Sequence, residues 1–101
     1  MNSSNHIWEN MKNELIVKWV VQLIGELCGE SDDDKIGNST NIYEELGMDS
    51  LMFMEIITRI ESNYEITIPD ELLAMESFSC VLNITDIIVM LLNEREEMIN
   101  G

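Results

Sequence analysis

Apolar residues recur every three or four positions along the first quarter of the chain: Trp8, Met11, Leu15, Trp19, Leu23 and Leu27 form a stripe that Ile16, Val20 and Ile24 widen. That period is helical. It predicts a long amphipathic helix from about Ile7 to Cys28, with Glu14, Lys18, Gln22 and Gly25 on its polar side and Gly29 placed as a left-handed C-terminal cap. A second helical pattern runs from Ser50 to about Ser62, where Phe53, Ile56, Ile57 and Ile60, and then Tyr64, mark the core face. A last one starts at Asn83, a strong N-cap residue with Asp86 three positions on, and carries Ile84, Ile87, Ile88, Leu91 and Leu92 to about Glu97.

Between these patterns the helical period breaks down. Glu30 to Asp49 is rich in Ser, Asp, Asn, Gly and Thr, and reads as an ordered loop pinned to the core by Ile36, Ile42, Tyr43 and Leu46. A loop of that length in a small domain is unusual and tends to serve function or placement. Ile66 and Ile68 alternate before Pro69 and predict an extended connector; Pro69 then suits the first position of a short helix over Asp70 to Met75. The expected fold is all-α: a small four-helix bundle of three long helices and one short third helix, with a long loop between helices one and two. A chain of 101 residues with one composition regime predicts a single domain, 1–101.

Composition narrows the function. A domain of this size buries only about 60–65% of its unfolded surface, which leaves one thin core and no deep catalytic cavity. Five Lys and Arg against twenty Asp and Glu give a net charge of −15, which repels phosphate backbones and anionic lipid alike. Neither nucleic acid nor membrane is an expected partner; proteins bearing Lys and Arg patches are. No signal-peptide pattern or membrane-length apolar run is present, so a cytoplasmic protein is expected, as a monomer. Cys28 and Cys80 lack metal or redox spacing and read as packing residues. In Asp32-Asp33-Asp34-Lys35-Ile36-Gly37 the first and third positions of a calcium loop are acidic and the sixth is Gly. Ile36 and Tyr43 fall where oxygen ligands are required, so a solvated acidic loop is the better reading and no metal is expected.

The most specific segment is Gly47-Met48-Asp49-Ser50-Leu51, at the mouth of the second helix. A Ser there is exposed beside unpaired N–H groups, at the positive end of the helix dipole, where an attached phosphodiester would be favoured. By itself Asp-Ser before an apolar run is also an ordinary N-cap. A nucleophilic role for Ser50 lacks a base, since His6 is the sole histidine.

The wider string Tyr43-Glu44-Glu45-Leu46-Gly47-Met48-Asp49-Ser50-Leu51 resembles the signature of acyl and peptidyl carrier proteins, in which a Leu-Gly-x-Asp-Ser-Leu run ends the long first loop. Ile66-Thr67-Ile68-Pro69-Asp70-Glu71 resembles the passage from helix two to helix three of these carriers, and Phe78-Ser79 with Asn83 to Leu92 their entry to helix four. The likeness covers about 17–94 and leaves 1–16 as an N-terminal extension. It implies a non-catalytic carrier whose Ser50 receives a 4'-phosphopantetheine arm from coenzyme A, through a separate magnesium-dependent phosphopantetheinyl transferase. Acyl or aminoacyl intermediates would then ride on the arm as thioesters, for fatty-acid-like, polyketide or nonribosomal peptide biosynthesis. It also implies a partner-facing strip of Asp49, Leu51, Met54, Glu55, Thr58 and Glu61, whose helical spacing leaves most of them exposed. Met52, Phe53 and Arg59 depart from the acidic helix two of primary fatty-acid carriers, so a dedicated pathway fits at least as well. The alternative reading is an acidic helical adaptor of the same fold that is never modified.

Overall fold

Three α-helices organise the protein: α1 (Ser3–Cys28), α2 (Ser50–Tyr64) and α3 (Val81–Asn100). The structure, a computed structural model, describes residues 3–100, with side chains described from 11 to 95. Short 3-10 turns occupy Asp33–Lys35, Asp70–Leu72 and Met75–Phe78, and the described residues contain no strand. The all-helical expectation agrees with this, but the short third helix is not formed. Leu72, Met75 and Phe78 are the large apolar side chains of that stretch that pack on the core. Their spacing of three matches the 3-10 period, in which side chains i and i+3 eclipse. Five or six residues after Pro69 also offer too little length to offset helix nucleation.

Contacts between the helices give their directions. Glu26 of α1 meets Arg59 of α2 at 3.4 Å, and Trp19 stacks edge-on against Tyr64 at 5.0 Å, so α1 and α2 are antiparallel. Arg95 Nη1 donates to the carbonyls of Tyr64 and Glu65, both at 2.9 Å, which sets the C-terminal half of α3 beside the end of α2. α3 thus runs antiparallel to α1, its most extensive helical neighbour. Ser50 lies at the end of the bundle where α1 finishes and α3 begins.

On α1 the core face is Ile16, Val20, Leu23 and Ile24, an i, i+4, i+7, i+8 set, with Val21 at its margin. The predicted stripe is only partly correct: Met11 is 52% and Leu15 66% exposed, while Trp19 and Leu27 are half-buried. The antiparallel register supplies the reason. Trp19 meets the last residue of α2, so the same face one and two turns earlier has passed beyond that helix. The Trp8 and His6 side chains lie outside the described set. Gly25, expected on the polar side, is buried, because a Cβ there would come within 2.8 Å of Glu30 O. The chain doubles back over it: Gly29, at φ 79°, turns α1 off, and Glu30 N–H closes on Gly25 O at 2.9 Å, a Schellman cap.

α2 buries Phe53, Ile56, Ile57 and Ile60, the predicted face, each such side chain contributing about 1.5–3 kcal/mol. Phe53 packs against Phe78 at 5.7 Å between ring centres. The α2 terminus repeats the Schellman pattern without glycine: Glu65 takes φ 53°, and Ile66 N–H bonds Glu61 O at 3.3 Å. Ile66 and Ile68 then turn inward from the extended connector, as their alternation predicts.

Asn83 does not cap the last helix, which starts two residues earlier with fully buried Val81. Asn83 Nδ2 instead donates to Ser79 Oγ at 3.1 Å. The long loop takes the place of a side-chain cap, since Leu82 N–H donates to Asn38 O at 3.1 Å, while Ile84 N–H closes the helix's own first turn on Cys80 O. The buried face of α3 is Val81, Ile84, Ile88, Leu91 and Leu92, with Ile87 half-buried; Thr85 is buried too, and its Oγ1 has no partner among the described residues.

Two stability changes are expected. Glu65→Gly relieves a left-handed non-glycine residue that costs about 1–2 kcal/mol and should raise unfolding free energy by up to about 1 kcal/mol in urea titrations, after glycine's own entropy cost. Thr85→Val removes an unpaired buried hydroxyl and should also stabilise, by about 1 kcal/mol. A loss of stability in either variant contradicts the corresponding backbone or burial assignment.

Candidate functional site

The loop between α1 and α2 reaches Ser50 through a chain of anchors. Ile36 and Ile42 are buried as predicted, and Tyr43 and Leu46 pack partly against the core. Asn41 opens a single helical turn: its Oδ1 accepts from Tyr43 and Glu44 N–H at 3.0 Å, while Glu45 Oε2 accepts from Asn41 N–H at 2.8 Å. This is the reciprocal logic of a capping box, with the acid one residue beyond the usual spacing. Met48, which the sequence did not mark as an anchor, is only 4% exposed, and its N–H closes the turn on Ile42 O at 3.1 Å. Gly47 at φ 71° provides the left-handed step between the half-buried Leu46 and the buried Met48.

The same loop is fastened to the entry of α3. Ile42 N–H donates to Ser79 O at 2.9 Å and Tyr43 Oη to Phe78 O at 3.1 Å, beside the Leu82–Asn38 bond. Burial of Tyr43 pushes its phenol from 10.0 up to about 12, and burial also raises that of Tyr64. The neutral phenol is the form that donates to Phe78 O.

With Met48 held in the core, Asp49 adopts the extended N-cap conformation, and its Oδ1 accepts from Met52 N–H at 3.0 Å. The N-cap is thus Asp49, which leaves Ser50 as the first helical residue, exposed, with no hydrogen bond to its hydroxyl among the described residues. The Ser50 and Leu51 N–H groups precede the first intrahelical bond, which runs from Phe53 N–H to Asp49 O at 2.9 Å. An exposed hydroxyl at the positive end of a 15-residue helix, with no acid in its first turn, favours an attached anion.

The model of a family described as the phosphopantetheine attachment site matches residues 18–88. The chain belongs to that family. Its members are non-catalytic carriers with covalently bound 4'-phosphopantetheine, so this protein is a carrier and not an enzyme. The match embraces the long loop, α2, the connector and the first eight residues of α3. The residues at the α2 mouth fit the group: the hydroxyl is open, the neighbouring carboxylate is engaged, and the helix end favours a phosphodiester. When bound, the arm supplies a terminal thiol that holds acyl groups as thioesters.

Around Ser50 and along α2, five of the six strip residues are exposed: Asp49 at the N-cap, then Leu51, Met54, Glu55 and Thr58. Leu51 is 79% and Met54 54% exposed. Glu61 differs. It is half-buried, and its Oε2 accepts from Ile68 N–H at 2.9 Å, so it ties the connector to α2 at the margin of the strip. Of the residues that depart from the acidic pattern, Phe53 belongs to the core, while Arg59 is exposed and bridges Glu55 and Glu26.

The raised Tyr43 phenol sets a pH window. The unfolded chain releases that proton near pH 10 and the folded chain near 12. Stability is therefore whole below pH 10 and declines as pH rises from 10 to 12, with Tyr64 acting in the same direction. Tyr43→Phe should lose about 1 kcal/mol at neutral pH and show a shallower alkaline decline in Tm than wild type. Parallel declines for the two proteins would contradict the phenol's role.

Proposed function

We propose that Ser50 is the attachment residue, and that the protein holds acyl or aminoacyl intermediates as thioesters for a dedicated biosynthetic pathway. The observation that carries this is the placement of an exposed Ser50 hydroxyl at the first position of α2, inside the segment matched by the family model. A tethered thiol makes successive encounters local, which raises effective concentration while the intermediate stays attached. The chain contributes position and address; general acids, bases and oxyanion donors belong to the enzymes it visits.

A phosphopantetheinyl transferase and acyl- or aminoacyl-handling enzymes are the partners. The net charge of −15 speeds encounters with partners that carry basic docking patches. The strip of Asp49, Leu51, Met54, Glu55 and Thr58, with Glu61 at its edge, is the surface beside Ser50 that such enzymes meet. Fatty-acid-like, polyketide and nonribosomal peptide pathways all use this chemistry. Arg59 beside the strip and the apolar Met52 and Phe53 in the first turn of α2 support a specialised pathway at least as well as primary fatty-acid synthesis, although the Phe53 side chain lies in the core. The working unit is one carrier domain with an N-terminal extension over 1–16. No helix among the described residues is long and apolar enough to cross a membrane, and a cytoplasmic location suits the coenzyme A-dependent loading.

The test is intact-protein mass spectrometry after incubation with coenzyme A, magnesium and a broad-specificity phosphopantetheinyl transferase. Wild type should gain one phosphopantetheinyl mass and Ser50→Ala none. An unmodified wild-type chain across several transferases would favour the acidic adaptor, and modification of Ser50→Ala would move the attachment elsewhere.

A further inference from the structure

The large apolar side chains that α1 exposes are Met11, at 52%, and Leu15, at 66%. They lie one turn apart, on the side of the helix away from the buried Val20 and Ile24. The sequence continues the stripe back to Trp8, and the steps of three and then four from 8 to 11 to 15 are the spacing of a seam between paired helices. Tyr64, the last residue of α2, meets Trp19, so α2 stops short of this stretch. A lone exposed apolar residue is ordinary, whereas neighbours in seam spacing mark a contact surface.

Charge is distributed just as unevenly. Residues 1–25 hold two Lys and two Glu, while 26–101 hold three Lys and Arg against eighteen Asp and Glu. The first half of α1 is therefore a neutral face on a protein of net charge −15, and residues 94–97, at the end of α3 beside it, add a net −2. Glu14 and Lys18, both exposed, flank the stripe at i, i+4, the spacing at which opposite charges on a helix neutralise each other. A basic partner, which the remaining surface attracts, gains nothing by docking here. We propose that this face pairs with the same face of a second copy, in an antiparallel two-fold dimer that sets Met11 of one chain against Leu15 of the other. Two points favour that occupant. A two-fold axis uses the one stripe twice, so the face is complementary to itself. The antiparallel arrangement also carries the acidic bodies apart: the acids that begin at Glu26 lie about 20 Å along α1 from a pairing centred at the level of Asn13, more than two Debye lengths of about 8 Å at physiological salt. The stripe is at the end of the bundle opposite Ser50, so pairing leaves the Ser50 hydroxyl open, and the proposal does not depend on the carrier reading. An interface of two short helix faces is smaller than the roughly 1,200 Å² of a stable complex, which makes the dimer weak, with a Kd of about 0.1 mM. The monomer expected from the sequence is its dilute form.

Sedimentation velocity of the full-length chain, from about 10 μM to 1 mM and in about 0.05 M and 0.5 M NaCl, provides the test. Wild type should pass from monomer to dimer over that range and pair about threefold or more tightly at the higher salt, because screening weakens the repulsion between two acidic bodies. Leu15→Glu should remain monomeric throughout and keep a wild-type circular dichroism melt, since Leu15 is two-thirds exposed; if it melts early, Met11→Glu takes its place. A wild-type chain that stays monomeric at about 1 mM in both salts overturns the proposal and assigns the stripe to a partner of different sequence. A dimer that both substitutions leave intact, or one that loosens as salt rises, overturns it as well by placing the contact elsewhere.

Discussion

Ile42 is the residue on which the presentation of Ser50 hangs. Its side chain is fully buried, its N–H donates to Ser79 O at 2.9 Å, and its C=O accepts Met48 N–H at 3.1 Å. One residue therefore binds the long loop to the core, to the approach of α3 and to the turn that ends at α2. A connection of some twenty residues without a long helix would otherwise have many conformations, and the entropy of holding Ser50 in one place would be large. Ile36 and Met48 secure the loop on either side, and Asp49 hands the chain to α2 through its cap on Met52 N–H.

The restraint is mutual. Backbone groups at the entry of α3 find their partners in the loop, through Asn38 O and the Tyr43 hydroxyl, so the helix begins without a side-chain cap on Leu82. Loop and helix are thus parts of one cooperative unit, and Ser50 inherits the rigidity of a bundle to which its own upstream residues add only two short turns. At the far end, Arg95 plays the corresponding part for α2, satisfying the carbonyls of Tyr64 and Glu65 where a left-handed Glu65 ends the helix.

Much of this was legible in the residues. The α2 face, the Gly29 stop, the inward Ile66 and Ile68, and the loop pins Ile36 and Ile42 all follow from period, turn chemistry and burial. So does an exposed Ser50, because a residue at a helix mouth before an apolar run has few other places to go. Other features needed tertiary context. Met11 and Leu15 fit a core stripe until α2 proves too short to cover them, and Asn83 looks like a cap until Val81 is drawn into the core. Leu72, Met75 and Phe78 belong to a three-residue period too brief to separate from a helical turn. Met48 gave little warning, since only the fold shows that the residue between Gly47 and Asp49 turns inward. The Glu55–Arg59 pair and the bond from Ile68 N–H to Glu61 are likewise invisible in sequence, where both acids read simply as surface charge.

Attachment at Ser50, as proposed, needs the hydroxyl accessible and its surroundings fixed, and one arrangement supplies both: buried anchors in the loop, an occupied cap and an open first residue on α2. Native-state hydrogen exchange tests that arrangement most directly. If the loop is held as described, the amides of Ile42, Met48 and Leu82 should exchange with protection close to that of the buried Ile56 and Ile60, opening only with global unfolding. Rapid exchange of Ile42 and Met48 while α2 and α3 stay protected would show that the loop moves independently, and that the bundle does not fix the position of Ser50.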